Sequence, residues 1–292
     1  MNQPSRALTP GHRHLATPDT AAAMCFSRAT LAYGSKMVWS ELSLTVPQGE
    51  FLAVLGPNGS GKTSLLRALL GLTPLSGGSL EVLGQAPRRG NPQIGYVPQH
   101  AGFERDLPLR GRDLVGLGID GHRWGFGRLS RADRVRVGAA LEAVAATRFA
   151  EAPVGQLSGG EQQRLRIAQA LVGNPRLLLC DEPLASLDLR YQQEITGLID
   201  AWAQRVGGTV VFVTHDVNPV LGCASRVIFV VAGRWATGRP DEVLNSETMS
   251  HLYQAPVEVL RVRGRIVVVG ESSGAGFDLD ESHLFPEPSG GR

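Results

Sequence analysis

Apolar positions in this chain gather into short runs separated by helical segments, and the two kinds of pattern alternate. Shorter apolar stretches fall around 26–33 and 41–46, and then "FLAVL" at 51–55 is apolar without interruption. "LLLC" at 177–180, "VVFV" at 210–213 and "VIFVV" at 227–231 are continuous in the same way. An unbroken run of that length predicts a strand buried on both faces of a sheet, since a half-exposed strand would alternate. Strands of this kind alternating with helices predict an α/β layer with a largely parallel sheet. Residues 100–156 differ, being rich in Arg, Gly and Ala with a helical stretch near 131–148, and are expected to form a helical insertion between two sheet strands. "VEVLRVRGRIVVV" at 257–269 predicts a β-hairpin. Residues 1–22 and 271–292 lack periodicity and read as disordered tails around a body spanning 23–270.

Composition narrows the picture. The 292 residues are 42% apolar with a formal net charge of +2, so a large core is available and nucleic acid is not expected as the main partner. No apolar run approaches the roughly 20 residues of a membrane-spanning helix. The N-terminus lacks the apolar centre of a signal peptide, which predicts a cytosolic location. Cys25, Cys180 and Cys223 are far apart with no C-x-x-C pair, and read as reduced, structural thiols. His12 and His14 have metal-gripping chemistry, but they lie in the tail and read more simply as tail residues. Lys36 and Lys62 are the only lysines, so a lysine at a phosphate-binding position carries extra information.

Lys62 occupies such a position. "GPNGSGKT", Gly56, Pro57, Asn58, Gly59, Ser60, Gly61, Lys62 and Thr63, follows "FLAVL" and precedes the helical "SLLRALLGL", which begins with Ser64. Successive N–H groups of such a loop cradle phosphate oxygens, and the following helix adds its positive end. Lys62 is expected to reach the β- and γ-phosphates and Thr63 to ligate Mg²⁺, so the chain is expected to bind a nucleoside triphosphate. "LLLCDEP" then supplies Asp181 at a strand end, placed to hold the metal, and Glu182 beside it as a general base for the attacking water.

"LSGGEQQRLRIAQAL" at 157–171 poses a separate question. Ser158 and Glu161 form a capping-box pattern, and Leu165, Ile167, Ala168 and Leu171 have core spacing. Gly159 and Gly160 weaken a helix start and need another reason to be there, such as a ligand approaching bare backbone.

Together these residues resemble the ATP-binding cassette (ABC) ATPases, over nearly the whole stretch from about 25 to 250. The resemblance implies a P-loop NTPase core with a mostly parallel sheet, an antiparallel β subdomain and a helical insertion at about 100–172. It implies ATP and Mg²⁺ as ligands and a head-to-tail homodimer, in which Ser158, Gly159 and Gly160 of one copy meet the γ-phosphate held by the other's P-loop. Glu161 stands where Gln is commoner, and Arg164 or Arg166 is expected to balance its charge. Tyr33 in "LAYGSKMVW" matches an aromatic that stacks on adenine. Gln99 in "YVPQH" matches the Q-loop residue that senses metal and water. Asp188 in "LASLD" matches the D-loop, with the usual Ser-Ala order reversed. His215 in "VFVTHD" matches the switch histidine at the γ-phosphate.

The family resemblance also implies a partner. Only 95 positions separate Lys62 from Leu157, too few for a long coiled-coil arm beside a helical insertion, and there is one P-loop and one signature. A transporter ATPase is therefore expected, seated on the cytoplasmic face of the membrane beneath separate permease subunits, with a substrate-binding protein acting indirectly. "HAGFERDLPLRGRDLVGLGIDGHRWGF" resembles the same region of metal-type importers, which implies zinc or manganese as cargo. Trp124 and Phe126 either cap the permease groove or pack within the insertion. ATPases for iron-chelate or cobalamin import, or for other ABC transporters, share these motifs. A soluble ABC ATPase that remodels a macromolecule is the reading of a different class.

Overall fold

The computed structural model describes residues 21–99, 102–120 and 129–270. The chain opens with β1 (Ala22–Tyr33) and β2 (Lys36–Pro47), followed by β3 (Phe51–Leu55) and α1 (Lys62–Leu69). Next come β4 (Gly77–Val82) and β5 (Ile94–Val97), then α2 (Gly111–Asp120), α3 (Arg131–Ala143) and α4 (Gly159–Leu171). The remainder runs β6 (Leu177–Asp181), α5 (Leu189–Val206), β7 (Thr209–Val213), β8 (Arg226–Val231), β9 (Arg234–Gly238), α6 (Pro240–Val243), α7 (Ser246–Tyr253), β10 (Val257–Val262) and β11 (Arg265–Gly270).

Six strands form the central sheet in the order β5-β6-β7-β3-β8-β9, parallel except for the antiparallel edge strand β9. The continuous apolar runs are explained by what covers them. Leu52, Val54, Leu177, Leu179, Val211 and Val213 face a core shared with α1 and with the antiparallel sheet β2-β1-β4. Phe51, Ala53, Leu55, Leu178, Cys180, Val210 and Phe212 face a second core shared with α4, α5 and the helical segment between β5 and β6. Every residue of β3, β6 and β7 is buried as a result. Phe51 and Phe212 stack across neighbouring strands with ring centroids 5.7 Å apart.

Three strands go beyond the sequence pattern: β4, β5 and β9. β5 is four residues with one glycine, and β9 is half-buried throughout, so neither makes a continuous apolar run. β1 begins at Ala22, at the edge of the segment read as a tail. The stretch 131–148 is shorter as a helix than its pattern suggests, since α3 stops at Ala143 and Ala145 takes a positive φ of 51°. His12, His14, Trp124 and Phe126 lie outside the described residues.

Candidate active site

Parallel strands bring their carboxyl ends to one edge of the sheet, where loops from different strands meet. β3 ends in the glycine-rich loop, β6 ends in Asp181 and Glu182, and β7, which lies between them, leads into His215. Residues 56, 182 and 215 thus become neighbours because of strand order alone.

The loop turns back tightly against β8. Gly56 has φ 145°, and a Cβ there would collide with the carbonyl of Val230. Gly61, with φ 101°, stands at the start of α1. Lys62 is only 4% exposed, and its ammonium donates to the carbonyls of Gly56 at 2.8 Å and Pro57 at 3.0 Å. Its Nζ also lies 3.5 Å from Glu182 Oε1. Burial lowers the pKa of Lys62, and the Glu182 carboxylate opposes that shift. Ser60 Oγ is buried with no hydrogen-bond partner among the described residues. A vacant hydroxyl beside a buried ammonium is chemistry that suits an incoming phosphate oxygen.

Glu182 links the loop to the histidine. Its Oε2 lies 3.2 Å from His215 Nδ1, and its main-chain N–H donates to Val213 O at 3.0 Å. That N–H bond pins a backbone with φ 44°, a left-handed conformation that costs a non-glycine residue about 1–3 kcal/mol. The hydrogen bond to His215 leads the causes that hold the Glu182 carboxyl below its ordinary range, and the same bond raises the His215 imidazole.

Asp181 is 2% exposed. Thr63 Oγ1 donates to its Oδ1 at 3.1 Å, and Tyr96 also hydrogen-bonds its carboxylate. Burial is the largest influence on Asp181 and raises its pKa, so its negative charge lacks solvation. A hydroxyl and an under-solvated carboxylate side by side form a hard oxygen donor set, which fits Mg²⁺. Gln99 is exposed two residues past the end of β5, the strand next to β6, so it rises from the same sheet edge as Asp181. Tyr33 is 47% exposed, and its hydroxyl donates to Ser64 Oγ at 3.4 Å. Its ring therefore stands open beside the first turn of α1, as an adenine platform requires. Asn58 and Gly59 are exposed at the tip of the loop.

The signature residues form a second group, at the start of α4. The Ser158 N–H donates to Glu161 Oε2 at 2.9 Å, so Glu161 does serve the capping box. The two glycines part company here. A Cβ on Gly159 would meet nothing nearer than Leu187 at 4.0 Å, whereas one on Gly160 would lie 2.7 Å from Tyr191 Cδ1. The backbone at Gly159 stands open, and packing against α5 accounts for Gly160. Arg164, one of the two residues expected to balance Glu161, is committed elsewhere. It pairs with Glu194 and donates to Val144 O at 3.0 Å, which ties α4 to α5. Arg166 lies over the Phe103 ring, 4.1 Å from its centroid. Asp188 caps α5, accepting from Tyr191 N–H at 2.9 Å.

Tyr96 and Tyr191 went unread in the sequence. Tyr96 immediately precedes "VPQ", but its contact with Asp181 depends on the pairing of β5 with β6. Tyr191 depends on how α5 crosses α4, which no local pattern encodes.

A parallel sheet with a phosphate loop, a buried ammonium and paired carboxylates at its carboxyl edge defines a P-loop nucleotide-hydrolysing protein. The ABC transporter family profile matches residues 39–185. The manganese transport system ATP-binding protein MntB of Bacillus subtilis is 32% identical over 232 residues, covering 80% of this chain and 92% of that protein. The zinc transport system ATP-binding protein TroB of Treponema pallidum is 32% identical over 234 residues, covering 80% and 88%. A solved structure of a metal-chelate type ABC transporter, in an inward-facing conformation, superposes with a TM-score of 0.72 at 28% identity, covering 85% of this chain and 97% of that one. The chain belongs to the ABC transporter family and is an ATP-binding, ATP-hydrolysing subunit with the ABC ATPase fold.

Proposed function

We propose that this subunit powers import of a metal ion, zinc or manganese, through separate membrane permease subunits, working as a homodimer at the cytoplasmic face of the membrane. The observation that carries the chemistry is the contact chain from Lys62 through Glu182 to His215, drawn from three loops at one sheet edge. ATP is held with its phosphates along Gly56–Thr63 and its adenine on Tyr33. Lys62 leaves its loop carbonyls for the β- and γ-phosphate oxygens. Glu182 accepts the proton of the attacking water, and His215 holds that carboxylate in place and contacts the γ-phosphate. Thr63 and Asp181 would hold Mg²⁺, with Gln99 beside them; the ion supplies charge neutralisation at the phosphates.

The exposure of Ser158 and Gly159 at the start of α4 supports a composite site, in which these groups act on nucleotide held by a second copy. Asp188 and Glu161 would lie at that interface. Among the described residues no helix is long and apolar enough to cross a membrane, so the permease is a separate partner on this reading. The body 23–270 would do this work, with the helical insertion at about 100–172 facing the permease.

The metal cargo is supported by the names of the manganese and zinc relatives. A second reading, iron-chelate import, is supported by the iron(3+)-hydroxamate import ATP-binding protein FhuC of Bacillus subtilis, 31% identical over 236 residues. Pull-down of the chain from membranes of its native cells tests both. A multi-span permease that restores zinc or manganese uptake supports the first reading, and one that restores ferric hydroxamate uptake supports the second. Recovery of ribosomal or DNA-bound proteins in place of a permease overturns both.

A further inference from the structure

Among the described residues the hairpin β10–β11 follows the last helix, and β11 has a single strand neighbour, β10. Both main-chain groups of Ile266 in β11 are nevertheless taken up, and by one side chain. The Ile266 N–H donates to Asn218 Oδ1 at 2.8 Å, and the Ile266 carbonyl accepts from Asn218 Nδ2 at 3.1 Å. The amide of Asn218 thus stands in for a neighbouring strand.

Asn218 also reaches back toward the catalytic loop. Its Nδ2 donates to Asp216 Oδ1 at 3.0 Å, and its main-chain N–H donates to the same oxygen at 2.9 Å. Asp216 is locked in turn to Thr214: the Asp216 N–H donates to Thr214 Oγ1 at 3.2 Å, and Thr214 Oγ1 donates to the Asp216 carbonyl at 3.1 Å. The Thr214 N–H donates to Val54 O in β3, at 3.1 Å. His215 therefore sits between two anchors, one on the strand that carries the phosphate loop and the other on the C-terminal hairpin. Thr214 and Ile266 are each 3% exposed, and Asp216 and Asn218 between them are half-buried, so the two ends of the network are shielded from water.

We infer that Asn218 is a positioning residue for His215, and that the hairpin β10–β11 is part of the apparatus that aims the imidazole at Glu182. This rests on the reading of Glu182 and His215 as the hydrolytic pair. A group displaced by as little as an ångström loses much of its catalytic effect. A contact made only to dock the hairpin would need the Ile266 bonds but not the two bonds to Asp216.

The test is a mutant cycle on the full chain: wild type, Asn218→Ala, His215→Ala and the double variant. ATP turnover is normalised to nucleotide-binding sites counted with labelled ATP, so that unfolded protein does not enter the rate. Asn218→Ala is expected to leave KM for ATP unchanged and to lower kcat per site roughly tenfold. In the His215→Ala background the same change is expected to have no further effect, because the residue acts through the histidine. Unchanged kcat per site, or the same loss in both backgrounds, overturns the inference and leaves Asn218 as a hairpin dock. Absence of turnover in the wild-type chain overturns the hydrolytic reading first and the inference with it. Should Asn218→Ala fail to fold, Asn218→Asp, which still accepts from the Ile266 N–H, goes through the same cycle with the same outcomes.

Discussion

His215 Nδ1 lies 3.2 Å from Glu182 Oε2, and each group moves the other's titration in the direction that charges both. The imidazole pKa is raised above its ordinary 6.5, with the hydrogen bond it donates to Glu182 as the largest cause and burial opposing it. In the nucleotide-free protein the histidine is expected to titrate above 6.5, and Glu182→Gln should bring it back to that value or lower. Imidazole proton shifts followed by NMR across pH report this. A raised folded value means that the histidine's stabilising contribution is complete below its unfolded pKa and lost as pH rises through the folded one. For Glu182, whose value is lowered, the contribution is present above the ordinary 4.5 and lost as pH falls through the folded value. The pair is therefore strongest between those limits.

Lys62 is buried against carbonyls and a carboxylate, with no solvent to replace its charge. Lys62→Ala is expected to lower ATP turnover by about 10²–10³, the usual loss when one preorganised charge-stabilising donor is removed. Steady-state ATPase assays measure it, and wild-type turnover in this variant would refute the assigned role.

Glu182→Gln keeps the shape of the base but not its proton affinity. The variant should bind ATP, hydrolyse it slowly and accumulate as a dimer with ATP and Mg²⁺ on size exclusion. A variant that stays monomeric under those conditions contradicts the composite site.

Gly159 and Gly160 make opposite predictions although they are adjacent. Gly160→Ala forces a Cβ to within 2.7 Å of the Tyr191 ring and should destabilise the fold by about 1–3 kcal/mol in chemical denaturation. Gly159→Ala meets open space and should leave stability intact while lowering ATP turnover. Loss of stability in both, or in neither, would contradict this division.

Tyr96 offers its phenol to Asp181, and burial pushes its own pKa up to about 12, so it remains a protonated donor at working pH. Removing that bond in Tyr96→Phe should raise the Asp181 pKa further and raise the Mg²⁺ concentration needed for half-maximal turnover by about tenfold or more. A magnesium titration of ATPase activity checks it.

The parts legible in the sequence were those in which one short segment carries its own physics. "FLAVL" followed by "GPNGSGKT" specifies a buried strand, a tight turn and an anion-binding loop with no help from elsewhere. "LLLCDEP" and "VFVTHD" likewise announce strand ends with chemistry on them. The contacts that tune those groups were not legible, because each joins segments far apart in the chain. Tyr96 meets Asp181 through strand pairing, Arg164 meets Glu194 through helix crossing, and Asn218 meets Ile266 across 48 positions. Gly160 shows the same limit from the other side, since its neighbour Tyr191 lies on a different helix.

The strand order β6-β7-β3 also sets a timetable for biosynthesis. β7 sits between the other two in space yet leaves the ribosome after both. A nascent chain that has emerged as far as Asp181 carries the glycine-rich loop and that aspartate on two apolar strands with nothing between them. Until Thr209–Val213 follows, β3 and β6 lack the partner that closes the sheet, and unpaired edges of that kind recruit other chains. A message truncated in this interval would yield an aggregation-prone fragment rather than a feeble enzyme, so β7, the last of these three strands to be made, guards solubility as well as delivering the histidine.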